Sequence, residues 1–203
     1  MNAEDSLDSK APKRPGCLVI FGGSFNPPHL AHVMSVAQAL SWRPDAKVLV
    51  LPTYEHAFAK RLLPFEHRFA MTQAAMSIFG GRVELSALEK HLGSPSYTIR
   101  IVDYLREAQA ADELALLVGT DILLELDRWH QSERLRSLVR LLVLPRPGYP
   151  SSSELCFGVE MPSLSSTELR AALARGDLEY ARRRVPNAVL EYIRTHQLYS
   201  ELE

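Results

Sequence analysis

Short apolar runs alternate with longer stretches of helical spacing along most of this chain. Residues 17–21 (CLVIF) form the first run, and Gly22-Gly23 closes it. Residues 47–51 (KVLVL), 114–118 (LALLV) and 138–144 repeat the pattern, and 82–85 is a shorter, mixed version. Apolar runs of this length, bounded by glycine or proline, predict strands buried on both faces. Between them, residues 29–40, 65–79 and 97–108 place apolar side chains at helical spacing and predict helices. Pro27-Pro28 stand at the entry of the first, where a missing N–H costs nothing.

Strand and helix in alternation predict an α/β protein with a Rossmann-like, doubly wound parallel sheet. Right-handed crossovers then align the strand C-termini along one edge, where ligands bind. From Ser165 to Tyr199 the pattern is helical throughout, which predicts a small C-terminal helical extension. Residues 1–15 are polar, contain Pro12 and Pro15, and lack the apolar core of a secretion signal, so a flexible tail is expected there. Residues 16–203 are expected to form a single domain, because the break at 147–153 is short.

Composition narrows the function classes. A formal net charge of −1 over 203 residues gives no electrostatic case for nucleic acid or a membrane surface. No apolar run approaches the ~20 residues of a spanning helix. Cys17 and Cys156 are distant, form no metal-type pair and read as small core residues, which fits a reducing cytoplasm. Neither a homo-oligomer nor a monomer leaves a signal in the sequence.

The densest chemistry lies at residues 22–32 (GGSFNPPHLAH). Glycines after a buried strand let a ligand approach the backbone, and the helix that follows turns its N–H groups to the same point. His29 and His32, three apart, share one helical face and can donate to phosphate oxygens. The glycine spacing is not that of dinucleotide-binding dehydrogenases, and no zinc-type cluster accompanies the histidines. A plain turn with two solvent histidines is the bland alternative.

A second stretch, residues 164–170 (LSSTELR), starts a helix with capping residues and carries Arg170 one turn inside. Read structurally, it is a good helix start. Read functionally, Arg170 is a fixed cation beside an anion held at that N-terminus, with Ser166 and Thr167 at hand. Gly119-Thr120-Asp121 closes a buried strand, with Trp129 eight residues past the acid, and Ser96-Tyr97-Thr98 follows Pro95.

Residues 23–32 resemble the GxFxPxHxxH signature of the nucleotidylyltransferase superfamily, with Ala31 where many bacterial members have glycine. Residues 164–170 resemble its ISSTxIR signature. Asp121 with Trp129, the SYT element and Arg146-Pro147-Gly148 resemble the pyridine mononucleotide adenylyltransferase branch, and the likeness runs from about Cys17 to Tyr199. The resemblance implies transfer of AMP from ATP to nicotinate mononucleotide, giving deamido-NAD and pyrophosphate in NAD biosynthesis. It implies ATP contacts at Gly22, Gly23, Ser24, Phe25, Gly119, Asp121, Ser166 and Thr167, with His29, His32 and Arg170 on the phosphates. It implies a mononucleotide site at Lys60, Tyr97, Thr98, Trp129 and Arg146, with the carboxylate of Asp121 on a ribose. Lys60 enters because residues 53–60 (TYEHAFAK) stand where that branch carries a PPHK-like loop. Mg²⁺ is expected with ATP, held by phosphate oxygens and water and not by a protein cage. Nicotinamide mononucleotide as acceptor, a pantetheine-phosphate or cytidylyl specificity, and a non-catalytic nucleotide-binding module are the alternatives.

Overall fold

The computed structural model describes residues 14–55, 62–150 and 156–200. Five strands form one parallel sheet: β1 (Cys17–Gly23), β2 (Ala46–Pro52), β3 (Val83–Leu85), β4 (Glu113–Gly119) and β5 (Arg140–Leu144). Their spatial order is β3-β2-β1-β4-β5. The chain builds outward from β1 in one direction, then returns to β1's other side. This doubly wound α/β arrangement is the Rossmann-like fold expected. The return creates a topological switch between β1 and β4, where the loops at their C-terminal ends part and leave a crevice.

Alternation along the strands sends odd and even positions to different cores. Cys17, Val19 and Phe21 join α1 (Leu30–Trp42) through Val36, Ala39 and Leu40. Leu18 and Ile20 face the other way, toward α4 (Thr98–Glu107) and α6 (Ser132–Leu138) through Ile99, Val102 and Leu135. Ile20 is 1% exposed, so its truncation to alanine should cost about 2–5 kcal/mol. A third core joins α2 (Phe65–Met76) to the C-terminal helices α7 (Ser166–Ala174), α8 (Leu178–Arg182) and α9 (Asn187–Thr195). The expected C-terminal extension is thus three helices, punctuated at Gly176 and Pro186.

Several boundaries differ from the sequence reading. The helix expected over 65–79 ends at Met76 and tightens into a 3-10 stretch at Ser77–Arg82, where Gly80 turns left-handed at φ 55°. Leu138 closes α6 instead of opening the last strand, because Val139 N–H still bonds back to Leu135 at 3.2 Å. The short helices α3 (Leu88–Leu92) and α5 (Thr120–Leu123) lie below the length that periodicity resolves. Cys17 is fully buried, whereas Cys156 is half-buried in an isolated bridge to Val143. Residues 1–13 of the expected tail fall outside the described residues. Among the described residues, no helix is long and apolar enough to cross a membrane.

Candidate active site

The crevice at the β1–β4 switch holds a cavity of about 540 Å³. Gly22, Gly23 and Ser24 at the end of β1 form one wall, with His32 from the first turn of α1. Gly119 and Asp121 after β4, and Arg146 after β5, form the opposite wall. Tyr97, Thr98 and Trp129 line the remaining side. Ten of the residues expected from sequence therefore face one space. His29 and Phe25 lie behind that wall, and Lys60 is outside the described residues.

The first loop is packed from beneath. Phe25 takes a left-handed φ of 45° and is 1% exposed, its ring edge-on to Phe21 at 5.5 Å and to His32 at 4.9 Å. A Cβ on Gly23 would stand 3.1 Å from that ring, so glycine is what lets the phenyl close under the turn. The strained backbone of Phe25, roughly 1–2 kcal/mol for a non-glycine residue, is offset by this burial.

The two imidazoles stack at 3.7 Å between centroids. His29 N–H donates to His32 Nδ1 at 3.0 Å, so His32 carries its proton on Nε2 and offers that N–H to the cavity. Burial, then the charge of Arg146, pulls His29 down from 6.5 to about 4. Burial, then His29 and Arg146, holds His32 well below its ordinary value. At neutral pH both rings are neutral hydrogen-bonding groups and not fixed cations. One expectation changes here: the Leu30 N–H at the start of α1 is taken by the Arg184 carbonyl at 2.8 Å and is not free for a ligand.

The second stretch reaches the same loop. Ser165 caps α7, accepting from Thr167 N–H at 3.2 Å. Ser166 Oγ donates to the Pro27 carbonyl at 3.0 Å, and Arg170 donates to the Asn26 carbonyl at 2.8 Å and to Thr167 Oγ1 at 3.2 Å. The two signatures converge, yet Ser166 and Arg170 bond the loop without lining the cavity, and Thr167 holds the Arg170 head. Tyr199 Oη completes the brace by donating to Asn26 Oδ1 at 2.8 Å, a buried contact.

Opposite the histidines, Arg146 pairs with Asp121 at 2.7 Å. The Arg146 N–H is fixed by Thr120 Oγ1 at 3.0 Å. A Cβ on Gly119 would lie 2.3 Å from Asp121 Oδ1, so only glycine admits the carboxylate this close to the strand end. Arg146 thus sits beside Asp121 and within electrostatic reach of both histidines. Sequence reasoning passed over His130, whose ring stacks on Tyr97 at 4.3 Å, although it directly follows Trp129. Arg68 falls in the stretch Glu66-His67-Arg68 that, with Met71, resembles the mononucleotide adenylyltransferase branch after the divergent loop, but its burial was not foreseen. Glu89 is a buried charge with no pattern of its own in the sequence.

Three buried side-chain atoms among the described residues lack a hydrogen-bond partner: His29 Nδ1, Ser96 Oγ and Asp121 Oδ1. Such a group left unpaired costs roughly 1–3 kcal/mol, and its presence in a native fold points to a ligand or water. Ser96 and Asp121 line the cavity, and His29 stacks against a residue that does.

Residues 20–172 match the cytidylyltransferase-like family. A protein of Anaeromyxobacter dehalogenans named "Probable nicotinate-nucleotide adenylyltransferase" is 38% identical over 184 residues, covering 90% of this chain and 96% of its own length. A Myxococcus xanthus protein of the same name is 35% identical over 92% of this chain and 96% of its own. The fold is shared with Plasmodium falciparum nicotinic acid mononucleotide adenylyltransferase, solved in complex with NaAD. Its TM-score is 0.76 at 22% identity, covering 92% of this chain and 99% of that one. With the crevice at the β1–β4 switch and both signature stretches joined at one loop, this chain belongs to the cytidylyltransferase-like family, among its nicotinate-nucleotide adenylyltransferases.

Proposed function

We propose that this protein transfers AMP from ATP to nicotinate mononucleotide, forming deamido-NAD and releasing pyrophosphate. A phosphate oxygen of the mononucleotide attacks the α-phosphorus of ATP in line. A new phosphoanhydride bond forms as the bond to the β-phosphate breaks. The attacking phosphate is already anionic, so no protein nucleophile is needed, and catalysis is positioning plus charge stabilisation. The observation that supports this reading best is the unpartnered set at the crevice: Ser96 and Asp121 in its wall, and His29 against His32.

In this reading the backbone of Gly22, Gly23 and Ser24 approaches the triphosphate, and His32 Nε2–H donates to it. His29 holds the His32 ring by stacking and by its backbone N–H. Arg170 and Ser166 hold the loop, Thr167 steadies the Arg170 head, and Arg170 would bear on the phosphates from beside that loop. Gly119 and Asp121 take a ribose, with the unpaired Oδ1 as the first acceptor. Tyr97, Thr98 and Trp129 offer aromatic faces and a hydroxyl to the pyridine ring, and Arg146 stands between the acid and the histidines. Lys60 would add a cation from a segment outside the described residues. No three His, Cys, Asp or Glu side chains group together among the described residues, so the donor set suits a divalent ion carried by the phosphates and not one caged by protein. Mg²⁺ there would neutralise phosphate charge.

Pyrophosphate release is measured with ATP and CTP against nicotinate mononucleotide, nicotinamide mononucleotide and phosphopantetheine. ATP with nicotinate mononucleotide should give the highest kcat/KM. His32→Ala should lower turnover by more than ~10²-fold, as for other donors to developing charge. Preference for CTP or phosphopantetheine would refute the assignment, and normal turnover by His32→Ala would refute the role of that ring.

A further inference from the structure

Two buried charges, Arg68 behind the cavity and Glu89 in its lining, have no part in the chemistry just described. Arg68, on α2, is 1% exposed, and Glu89, on α3, is 8% exposed. Ionised groups are rarely this buried unless their hydrogen bonds are met. Arg68 donates to three main-chain carbonyls from three segments: Ser24 at 2.9 Å, Leu63 at 2.9 Å and Tyr54 at 3.4 Å. Glu89 Oε2 accepts the N–H of the same Tyr54 at 3.0 Å. The Tyr54 backbone is therefore gripped on both sides of its Cα, at the carbonyl by a buried guanidinium and at the N–H by a buried carboxylate. Its neighbours Thr53 and Glu55 line the cavity, as does Ser24.

We propose that Arg68 and Glu89 are positioning residues that clamp the Tyr54 backbone, and that this clamp sets the mononucleotide side of the cavity. The idea rests on the AMP-transfer reading above. A planar guanidinium presents forked donors that reach three carbonyls spread around it, whereas a lysine ammonium would keep the charge but gather its three donors on one atom and lose that geometry. Burial raises the Glu89 carboxyl above its usual range, while the Tyr54 N–H, the nearby Ser96 hydroxyl and the charge of Arg68 oppose that shift and favour the anion. The two residues differ in reach. Glu89 holds the segment after β2 and stands beside Ser96 in the cavity lining, whereas Arg68 also holds Ser24 in the first loop. Loss of Glu89 should therefore weaken one substrate, and loss of the Arg68 fork should weaken both.

The test uses the full chain with Glu89→Leu, Glu89→Gln and Arg68→Lys. Calorimetry gives the Kd of ATP and of nicotinate mononucleotide separately, and pyrophosphate release gives KM and kcat. Thermal unfolding reports any general loss of structure. Glu89→Leu should raise Kd and KM for the mononucleotide roughly tenfold, the scale of one hydrogen bond to a charged group. The ATP constants should move by less than about threefold, within a fraction of a kcal/mol. Glu89→Gln, whose Oε1 still accepts the Tyr54 N–H, should recover most of the loss. Arg68→Lys should weaken both nucleotides. The clamp is overturned if Gln is as damaging as Leu, since the lost group would then be a charge touching substrate. Equal weakening of both substrates by Glu89→Leu, or wild-type constants for Arg68→Lys, overturns it as well. Wild-type chain that binds both nucleotides but releases no pyrophosphate would sink the AMP-transfer reading, while the Kd values would still judge the clamp.

Discussion

Gly119→Ala isolates the contribution of the Asp121–Arg146 wall. Gly119 has φ −86° and ψ 164°, a conformation any residue adopts, so alanine meets no backbone penalty. The added methyl would stand 2.3 Å from Asp121 Oδ1 and 2.7 Å from Arg146 Cδ. Non-bonded carbon needs a separation of roughly 3.5 Å, so the carboxylate must retreat by about 1 Å. Misplacing a positioning group by that distance costs about 10²-fold in rate, or about 2.7 kcal/mol of transition-state stabilisation. Folding should scarcely change, because Gly→Ala at a compatible site stabilises by about 0.4–1 kcal/mol through the unfolded chain. The assay is pyrophosphate release at varied ATP, with thermal unfolding alongside. Activity should fall about 10²-fold with an unfolding midpoint at or above wild type. Adding Gly119→Ala to Asp121→Ala should cost less than it does in the wild type, because the colliding carboxylate is gone and only the Arg146 side chain at 2.7 Å must still shift. Wild-type kcat/KM in Gly119→Ala would refute the claim that Asp121 must stand where it does. A full further loss on top of Asp121→Ala would place the damage elsewhere.

Other perturbations read separate parts of the site. His29 titrates at about 4 when folded and near 6.5 when unfolded, so the unfolded chain binds the extra proton between those values. Stability should be whole above pH 6.5 and fall as pH drops toward 4, by at most about 1.4 kcal/mol per pH unit for this group. Urea unfolding across pH should show that slope in the wild type and a flatter one in His29→Asn, and equal slopes would refute it. Tyr199→Phe removes the donor to Asn26 Oδ1 and leaves a buried acceptor unpaired, which should cost about 1–3 kcal/mol in chemical denaturation. Its activity should fall through a higher KM for ATP, because Asn26 lies in the first loop. An unchanged unfolding midpoint would show that the contact does not brace that loop.

The sequence alone determined the sheet and ten residues of the cavity wall. Buried strands need unbroken apolar runs, and glycines must stand where backbone, carboxylate or ring approaches closely, so both leave local marks. Gly23 and Gly119 were legible for that reason, and their neighbours His32 and Asp121 with them. Tertiary structure decided what no local pattern encodes. It put Arg170 and Ser166 against the Asn26–Pro27 loop and not in the cavity wall, and joined Asp121 to Arg146 across the strand ends. It gave the Leu30 N–H to Arg184, and it gathered Ser24, Tyr54 and Leu63 onto the one guanidinium of Arg68. Apart from the Arg68 contacts to nearby Leu63 and Tyr54, each of these is a hydrogen bond or ion pair between segments well separated in the chain. A sequence pattern records the helix or strand on which such a partner sits, and only the packed fold sets which partner it meets.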